Sequence, residues 1–382
     1  MPIRSRGCRA AAATATVVAS LLLAGLAMEG VLRLTSRPAQ EPAVPATAAH
    51  EPAAPTAAHD PAAPATAAHE PAAPATAEGR PEKITVPDPE LAWAFRPSAE
   101  GRFTEGALPT DVTTNSLGLR SPELEDEGGG TRVLVLGDSY GFGWGVAEGD
   151  AFPRILESRL RQRHPEADVA VINACLPGYG LYQQRAMLER VLNGTVVDVV
   201  VTTYSLANDP VDDLRIARFA PDRLLEYTPE LGERNRFVQW LVGHSKLAGL
   251  VDVRLSPLRF KAANASARAV EISERCMREL LETCSNHGLR VLQVEVPQRW
   301  QTKGQAGSWL LAASSGRARA MRRRVASDFG VISIDCAPCL KRVESETCGA
   351  YIPNDAHWTR LGHEAVADTI LAALPEEWFA PE

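Results

Sequence analysis

The stretch RVLVLGDSYGFGWG, residues 132–145, begins as an apolar run and ends in a polar, glycine-rich turn. Its consecutive aliphatic residues are typical of a strand buried on both faces, as in a parallel sheet covered by helices. Asp138 and Ser139 follow directly. Because open α/β sheets form their sites beyond the carboxyl ends of the strands, this stretch predicts a buried strand that ends in a functional turn.

Further apolar runs follow at residues 168–174, 197–204, 289–296 and 330–335. Between and after the runs, amphipathic stretches predict helices at about 152–162, 182–192, 265–287, 317–329 and 359–374. Alternating strands and helices predict an α/β fold, a three-layer α/β/α flavodoxin-like sandwich with a mostly parallel five-stranded sheet. Residues 210–264 are less regular and are expected to form an insertion that selects the substrate.

The N-terminal part has a different composition. Basic residues precede an uncharged apolar run at 10–28, which is about as long as the roughly 20 residues that cross a bilayer. We expect residues 1–37 to form a membrane anchor, with a signal peptide cleaved after Ala27 as the alternative. Residues 38–82 are rich in Ala and Pro with near repeats, which predicts a disordered, extended linker.

This organisation predicts the location of the folded part. A single-pass anchor in a bacterial cell membrane would leave the rest extracytoplasmic, either periplasmic or extracellular, whereas cleavage would release it as a secreted protein. Residues 83–130 are expected to be a lead-in segment that packs on the catalytic domain, residues 131–382. The net charge of −7 without a basic stripe argues against nucleic-acid binding.

Seven cysteines are too few and too dispersed for a disulfide scaffold. Cys336, Cys339 and Cys348 lie close together in what looks like a loop-rich stretch, so a local disulfide is expected, with Cys339 and Cys348 as the first choice of pair. A zinc site at the CAPC sequence lacks a second ligand pair at suitable spacing. No metal and no other cofactor is therefore expected.

Polar clusters follow the first three predicted strands, and another precedes the last predicted helix: GDSYGFGWG, NACLPGYG, SLANDP and NDAHWT. Meeting at one edge of the sheet, they would supply what acyl transfer needs, namely a nucleophile, a base and donors for an oxyanion. A serine hydroxyl needs an imidazole to take its proton and an acid to orient that imidazole. We predict Ser139 as nucleophile, His357 as base and Asp355 as acid, with His363 as the competing base.

These clusters, in this order, resemble the sequence blocks of the SGNH, or GDSL-type, hydrolase superfamily over roughly residues 131–374. The resemblance implies that Ser139 is the nucleophile of an esterase. It also implies an oxyanion hole formed by the backbone N–H groups of Ser139 and Gly178 and the side-chain amide of Asn208. The DAHW sequence that contains Asp355 and His357 is similar to the DxHW block of members related to polysaccharide O-acetylation.

Two positions depart from the superfamily pattern. Leu206 stands where a glycine is usual, two residues before the asparagine of the third block. Asn354 stands where many members have the catalytic aspartate, three residues before the histidine. These departures favour one alternative hypothesis, an inactive SGNH-fold protein that binds glycans or acts as a scaffold.

Two other interpretations concern the glycine-rich turn. GDSYG also fits the GxSxG elbow of α/β-hydrolases, but Ser139 follows the first strand of the sheet and the predicted acid lies beside the histidine, unlike in that fold. A phosphate cradle would need GxGxxG or GxxxxGK[ST] after the strand, and the turn has neither.

The sequence thus predicts a membrane-tethered serine esterase that cleaves O-acyl esters, with acetyl as the expected acyl group. Small-molecule esters and glycans of the cell envelope or extracellular space are the expected substrates. An O-acyltransferase acting on exported polysaccharide is the alternative, because both reactions share the acyl-enzyme and differ only in the acceptor.

Overall fold

The computed structural model describes residues 84–103, 108–123, 130–217, 244–245, 262–297, 299–303 and 308–379. The predicted membrane anchor, the linker and most of the predicted insertion lie outside these residues. Within them, no helix has both the length and the apolar character needed to cross a membrane. The chain divides into two compact units, and nearly all described residues belong to the one formed by 73–231 and 258–382.

The lead-in segment contains two antiparallel strand pairs. Strands β1 (Thr85–Asp88) and β2 (Ala92–Phe95) form one, and β3 (Glu100–Phe103) and β4 (Thr110–Thr113) form the other. Phe95 and Phe103 are buried in the same hydrophobic core as Phe142, which belongs to the glycine-rich turn. These contacts join the lead-in segment to the glycine-rich turn.

The central sheet has five parallel strands: β5 (Thr131–Leu136), β6 (Val169–Asn173), β7 (Val199–Ser205), β8 (Arg290–Val296) and β9 (Ile332–Asp335). Their spatial order is β6-β5-β7-β8-β9, which is the 2-1-3-4-5 order of flavodoxin-like folds. Every residue of β7 is buried, as its run of β-branched side chains predicts for a central strand. The five predicted strands and their parallel pairing are confirmed.

Helices flank the sheet in two groups that pack within themselves. The helices of the described residues are α1 (Ser139–Phe142), α2 (Phe152–Arg163), α3 (Leu181–Leu192), α4 (Asp209–Ala217), α5 (Ala267–Asn286), α6 (Arg299–Lys303), α7 (Ser308–Asp328), α8 (Ala337–Thr347) and α9 (Arg360–Ala373). Helix α2 packs on α9, which also contacts α8, whereas α3, α4 and α7 each pack on α5. The five predicted helices are present, although α7 begins at residue 308 instead of 317, and α4 occupies the start of the predicted insertion.

The stretch around the clustered cysteines is helical, so its interpretation as loop-rich was wrong. Pro338 lies in the first turn of α8, where a proline is tolerated because its missing N–H would have had no partner in the helix. Cys339 and Cys348 are therefore separated by about 13 Å at 1.5 Å per residue. Since a disulfide needs Cα atoms within about 7 Å, the predicted Cys339–Cys348 pair is also wrong, and both thiols are free.

Candidate active site

Ser139 lies at the carboxyl end of β5, as the first residue of the short helix α1. Asp138 caps this helix, since its Oδ1 accepts a hydrogen bond of 3.0 Å from the N–H of Tyr140. Gly137 cannot carry a side chain, because a Cβ there would collide with the Thr203 side chain on the neighbouring strand β7. The tight turn therefore places the Ser139 hydroxyl at the edge of the sheet.

The structure brings Ser139, His357 and Asp355 into one hydrogen-bonded chain. His357 Nε2 lies 2.7 Å from Ser139 Oγ, and His357 Nδ1 lies 2.6 Å from Asp355 Oδ1. The same carboxylate oxygen accepts the His357 backbone N–H at 2.8 Å, which fixes the short turn between the two residues. A bridge between Tyr351 and Trp358 closes the base of this loop.

The electrostatics of the chain favour a neutral imidazole beside an ionised carboxylate. Burial lowers the pKa of His357, and the hydrogen bond that its Nδ1 donates to Asp355 only partly opposes this effect. Burial alone would raise the pKa of Asp355, but hydrogen bonds from the backbone and ring of His357 outweigh it and hold that pKa below its usual value. A neutral imidazole within reach of a hydroxyl can act as a general base at neutral pH.

His363, the competing base, is a buried packing residue. It is buried in α9, and its Nδ1 accepts a hydrogen bond of 3.2 Å from the N–H of Phe152. Burial lowers its pKa to about 3, so the ring stays neutral. It packs against the rings of Phe152 and Trp358 instead of facing Ser139.

The predicted oxyanion donors differ in how they are engaged. Among the residues that the structure describes, the backbone N–H groups of Ser139 and Gly178 make no hydrogen bond. The amide nitrogen of Asn208 donates to two carboxylates, Asp138 Oδ2 at 3.2 Å and Asp212 Oδ2 at 2.7 Å. In this arrangement, Asn208 can reach an oxyanion only by releasing one carboxylate, and the longer bond to Asp138 is the weaker one.

The backbone accommodates both residues that depart from the superfamily pattern, Leu206 and Asn354. Leu206 is buried and does not adopt a positive φ, so the third block needs no glycine there. Its carbonyl accepts a hydrogen bond of 3.0 Å from the side chain of Asn264. Asn354 has a φ of 61°, a left-handed conformation that asparagine tolerates, and the next residue, Asp355, carries the carboxylate that meets His357.

Four aspartates that follow the carboxyl ends of β5 and β7 are buried, namely Asp138, Asp209, Asp212 and Asp213. Burial raises the pKa of Asp138 and of Asp212 to about 6 and that of Asp213 to about 7. The pattern DPVDD gives three of these residues adjacent positions on α4. Their burial was not predicted, because aspartate side chains are mostly exposed in folded proteins.

The carboxyl group of Asp213 should make the protein less stable as the pH rises. Folding raises the pKa of this carboxyl group. Its contribution to the free energy of unfolding is therefore fully present below the unfolded pKa, near 4, and is lost as the pH rises through about 7. Between pH 5 and 7.5, the free energy of unfolding should fall less in Asp213→Asn than in the wild type, by on the order of 2 kcal/mol. Thermal or urea unfolding at both pH values measures this change.

Glu166→Gln, at an exposed position before β6, is the matched control and should leave the pH dependence unchanged. An Asp213→Asn protein with the same loss of stability as the wild type between pH 5 and 7.5 would contradict the prediction. The asparagine can still accept the hydrogen bond that Ser273 donates to Asp213 at 2.7 Å, so the local packing is largely preserved.

Sequence reasoning missed three residues that surround the candidate triad. Trp144 and Tyr140 contact the His357 ring, and Arg299 donates a hydrogen bond to the backbone carbonyl of Asp355. The aromatic residues Tyr140 and Trp144 stand within the quoted glycine-rich turn, which was the available signal. No local sequence pattern marks Arg299, since its contact with Asp355 joins residues that are far apart along the chain.

Residues 258–381 match the family model described as "SGNH hydrolase-like domain, acetyltransferase AlgX". The predicted resemblance to the SGNH superfamily, with relatives in O-acetylation, is thereby confirmed. The matched part includes Asp355 and His357 but not Ser139. No curated protein matches the chain.

Two solved structures show a distant likeness. One is a catalytic mutant of an acetylxylan esterase from Geobacillus stearothermophilus, 14% identical, with a TM-score of 0.44 over 68% of this chain and 100% of that chain. The other is an α/β hydrolase from the metagenome of Lake Arreo, Spain, 16% identical, with a TM-score of 0.41 over 64% and 94% of the two chains. Similarity at this level says nothing about the reaction.

Proposed function

We propose that this protein is a serine esterase that acts on O-acyl esters, with acetyl as the acyl group, through an acyl-enzyme on Ser139. The observation that supports it is the hydrogen-bonded chain from Ser139 Oγ through His357 to Asp355, with contacts of 2.7 and 2.6 Å. This is the arrangement that a serine nucleophile requires.

In the first step, Ser139 Oγ attacks the acyl carbonyl carbon while His357 Nε2 takes the hydroxyl proton. Asp355 stabilises the imidazolium that forms and holds the proton on Nδ1, so that Nε2 faces the serine. Collapse of the tetrahedral intermediate breaks the bond to the alcohol oxygen, which receives the proton from His357. The acyl group remains on Ser139 until water, activated by the same imidazole, releases it as the acid.

The oxyanion of the intermediate would be held by the backbone N–H groups of Ser139 and Gly178, neither of which is engaged by another described residue. Gly178 has a φ of 79°, and an added Cβ there would lie 3.3 Å from the Trp93 ring, which favours glycine at this position. Asn208 would join as a third donor by releasing Asp138. Each such donor is worth about 100- to 1,000-fold in rate.

The substrate and the location are part of the same proposal. The basic residues before an apolar run at 10–28, followed by the Pro-rich linker, support a membrane-tethered enzyme with an extracytoplasmic domain. The DxHW block and the O-acetylation-related family model support an O-acetylated glycan of the envelope or extracellular space as substrate.

An O-acyltransferase is the second candidate, because the matching family model is described as an acetyltransferase. Both candidates form the acyl-enzyme, and they differ in whether water or a sugar hydroxyl takes the acyl group. An experiment on the full chain in detergent can separate them. It uses p-nitrophenyl acetate as donor, with and without an excess of a soluble oligosaccharide acceptor.

The expected result is labelling by a fluorophosphonate probe at Ser139, mapped by mass spectrometry, and release of one acetate for each p-nitrophenol with or without the acceptor. Acetylated oligosaccharide in place of acetate would identify the transferase. A folded protein with neither labelling nor turnover would overturn both candidates and support the inactive glycan-binding or scaffold protein.

A further inference from the structure

The glycine-rich turn after the nucleophile is shaped to present one aromatic side chain. Gly143 and Gly145 have φ values of 85° and 77°, in the left-handed region that favours glycine. An added Cβ on Gly143 would lie 2.6 Å from the Ala151 Cβ, and one on Gly145 would lie 2.8 Å from Ile352 Cδ1. Trp144, between them, is the residue whose side chain this turn projects.

Arg120 of the lead-in segment holds this turn in place. Its side chain is buried, and its guanidinium donates to the backbone carbonyls of Phe142 and Gly143 at 2.9 Å each and of Val146 at 2.9 Å. Burial lowers the pKa of Arg120 to about 10, so the side chain is still charged at neutral pH. The backbone N–H of Trp144 also donates to the Ser139 carbonyl at 3.1 Å. The turn is therefore tied both to the lead-in and to the nucleophile.

The Trp144 ring lies parallel to the His357 imidazole. Their centroids are 5.1 Å apart and their planes differ by 12°, the geometry of a stacked pair. The edge contact between Trp144 and Phe103, with centroids 5.2 Å apart, supports the indole from the lead-in segment. Tyr140 also contacts the imidazole, at 4.9 Å with a tilt of 39°.

We propose that Trp144 is a positioning residue for His357: its ring fixes the plane of the imidazole and keeps water from it. The inference rests on the proposed function, in which His357 is the base. It assigns a role to the glycines of the turn and to the lead-in segment, neither of which the triad explains. Trp144 would act through its contact with the His357 ring.

Among the described residues, a small set of polar groups surrounds His357 and Asp355. Asp355 accepts from Nδ1, and Arg299 donates to the Asp355 carbonyl. The Tyr140 hydroxyl donates to the Ala356 carbonyl at 3.2 Å. Burial lowers the pKa of His363 to about 3, so this second imidazole is neutral. Burial is the largest influence on the pKa of His357, and the hydrogen bond to Asp355 comes second. Admitting water beside the imidazole should therefore raise that pKa towards its ordinary value.

The test compares the full-length wild type with Trp144→Ala, Trp144→Phe and the control Trp378→Phe, which lies in the C-terminal turn. The pH dependence of kcat and kcat/KM for p-nitrophenyl acetate is measured, together with an NMR titration of the His357 ring. Trp144→Ala should raise the pKa of His357 by about half a unit or more. It should also lower kcat by about 10-fold with little change in KM. The acid limb moves to higher pH, because the base must be neutral.

Trp144→Phe keeps a planar ring and should recover most of kcat and the wild-type pKa, and Trp378→Phe should match the wild type. If Trp144→Ala does not fold, Trp144→Leu replaces it, since leucine fills space without a ring face. An unchanged pKa and kcat in the folded variant, or a phenylalanine variant no better than alanine, would overturn the inference. A wild type without turnover would defeat the proposed function instead, and the NMR titration alone would then decide the inference.

Discussion

Ser139→Ala is expected to lower kcat for acetyl ester hydrolysis by about 10⁵-fold or more, because it removes the atom that forms the acyl-enzyme. His357→Ala should cost about as much, since a serine hydroxyl without its base is a poor nucleophile. The double variant should be little worse than either single one, because the two residues act as a unit. The measurement is p-nitrophenyl acetate turnover together with fluorophosphonate labelling.

Ser158→Ala, at an exposed position on α2, is the matched control and should retain full activity and labelling. Because Ser139 Oγ and His357 Nε2 are 2.7 Å apart, the losses of kcat in the two single variants should not multiply in the double variant. Two single variants whose losses multiply in the double variant would show that the residues do not act together. Labelling of Ser139→Ala at the wild-type level would place the nucleophile elsewhere.

Asp355→Asn is expected to lower kcat by about 10³- to 10⁴-fold while leaving the fold intact. An amide at this position can donate to His357 Nδ1, which would favour the ring tautomer that carries its proton on Nε2, and such a ring cannot accept the serine proton. The carboxylate contact of 2.6 Å to Nδ1 is the interaction that is lost. Steady-state kinetics at several pH values measures the effect.

The neighbouring Asn354 provides the control. It has a φ of 61°, so Asn354→Gly preserves the backbone and removes only the side chain. We expect this variant to keep kcat within about threefold of the wild type, since the Asn354 side chain is exposed and makes no hydrogen bond to the triad among the described residues. A loss at Asn354→Gly as large as that at Asp355→Asn would assign the orienting role to Asn354.

The strands of the central sheet could be predicted because their signal is local. β7 and its neighbours consist of consecutive β-branched and aliphatic residues, which occur when both faces of a strand are covered. The positions of Ser139 and Asn208 just after strands then followed, because parallel strands end at the same edge of the sheet. Helix α8 was missed, since Pro338 and the flanking cysteines resemble a loop, although a proline in the first turn of a helix is compatible with it.

The candidate site was only partly predictable, because its details depend on residues that are remote along the chain. Arg120 looks like a turn residue in sequence, yet its buried guanidinium holds the backbone of the turn that contains Trp144. Asp212 falls at the start of the predicted irregular insertion, yet it is buried and accepts one of the Asn208 amide hydrogens. No periodicity or spacing reports such contacts.

The five strands and the polar residue types that follow them are encoded in the local sequence, because both depend on short-range patterns of side chains along the backbone. Three contacts of the site become visible only in the folded chain: Asp355 and not Asn354 meets His357, Asn208 is shared between two carboxylates, and Trp144 stacks on the imidazole. The physical reason is distance along the chain: Ser139 and His357 are 218 residues apart, and only the folded sheet brings them within 2.7 Å.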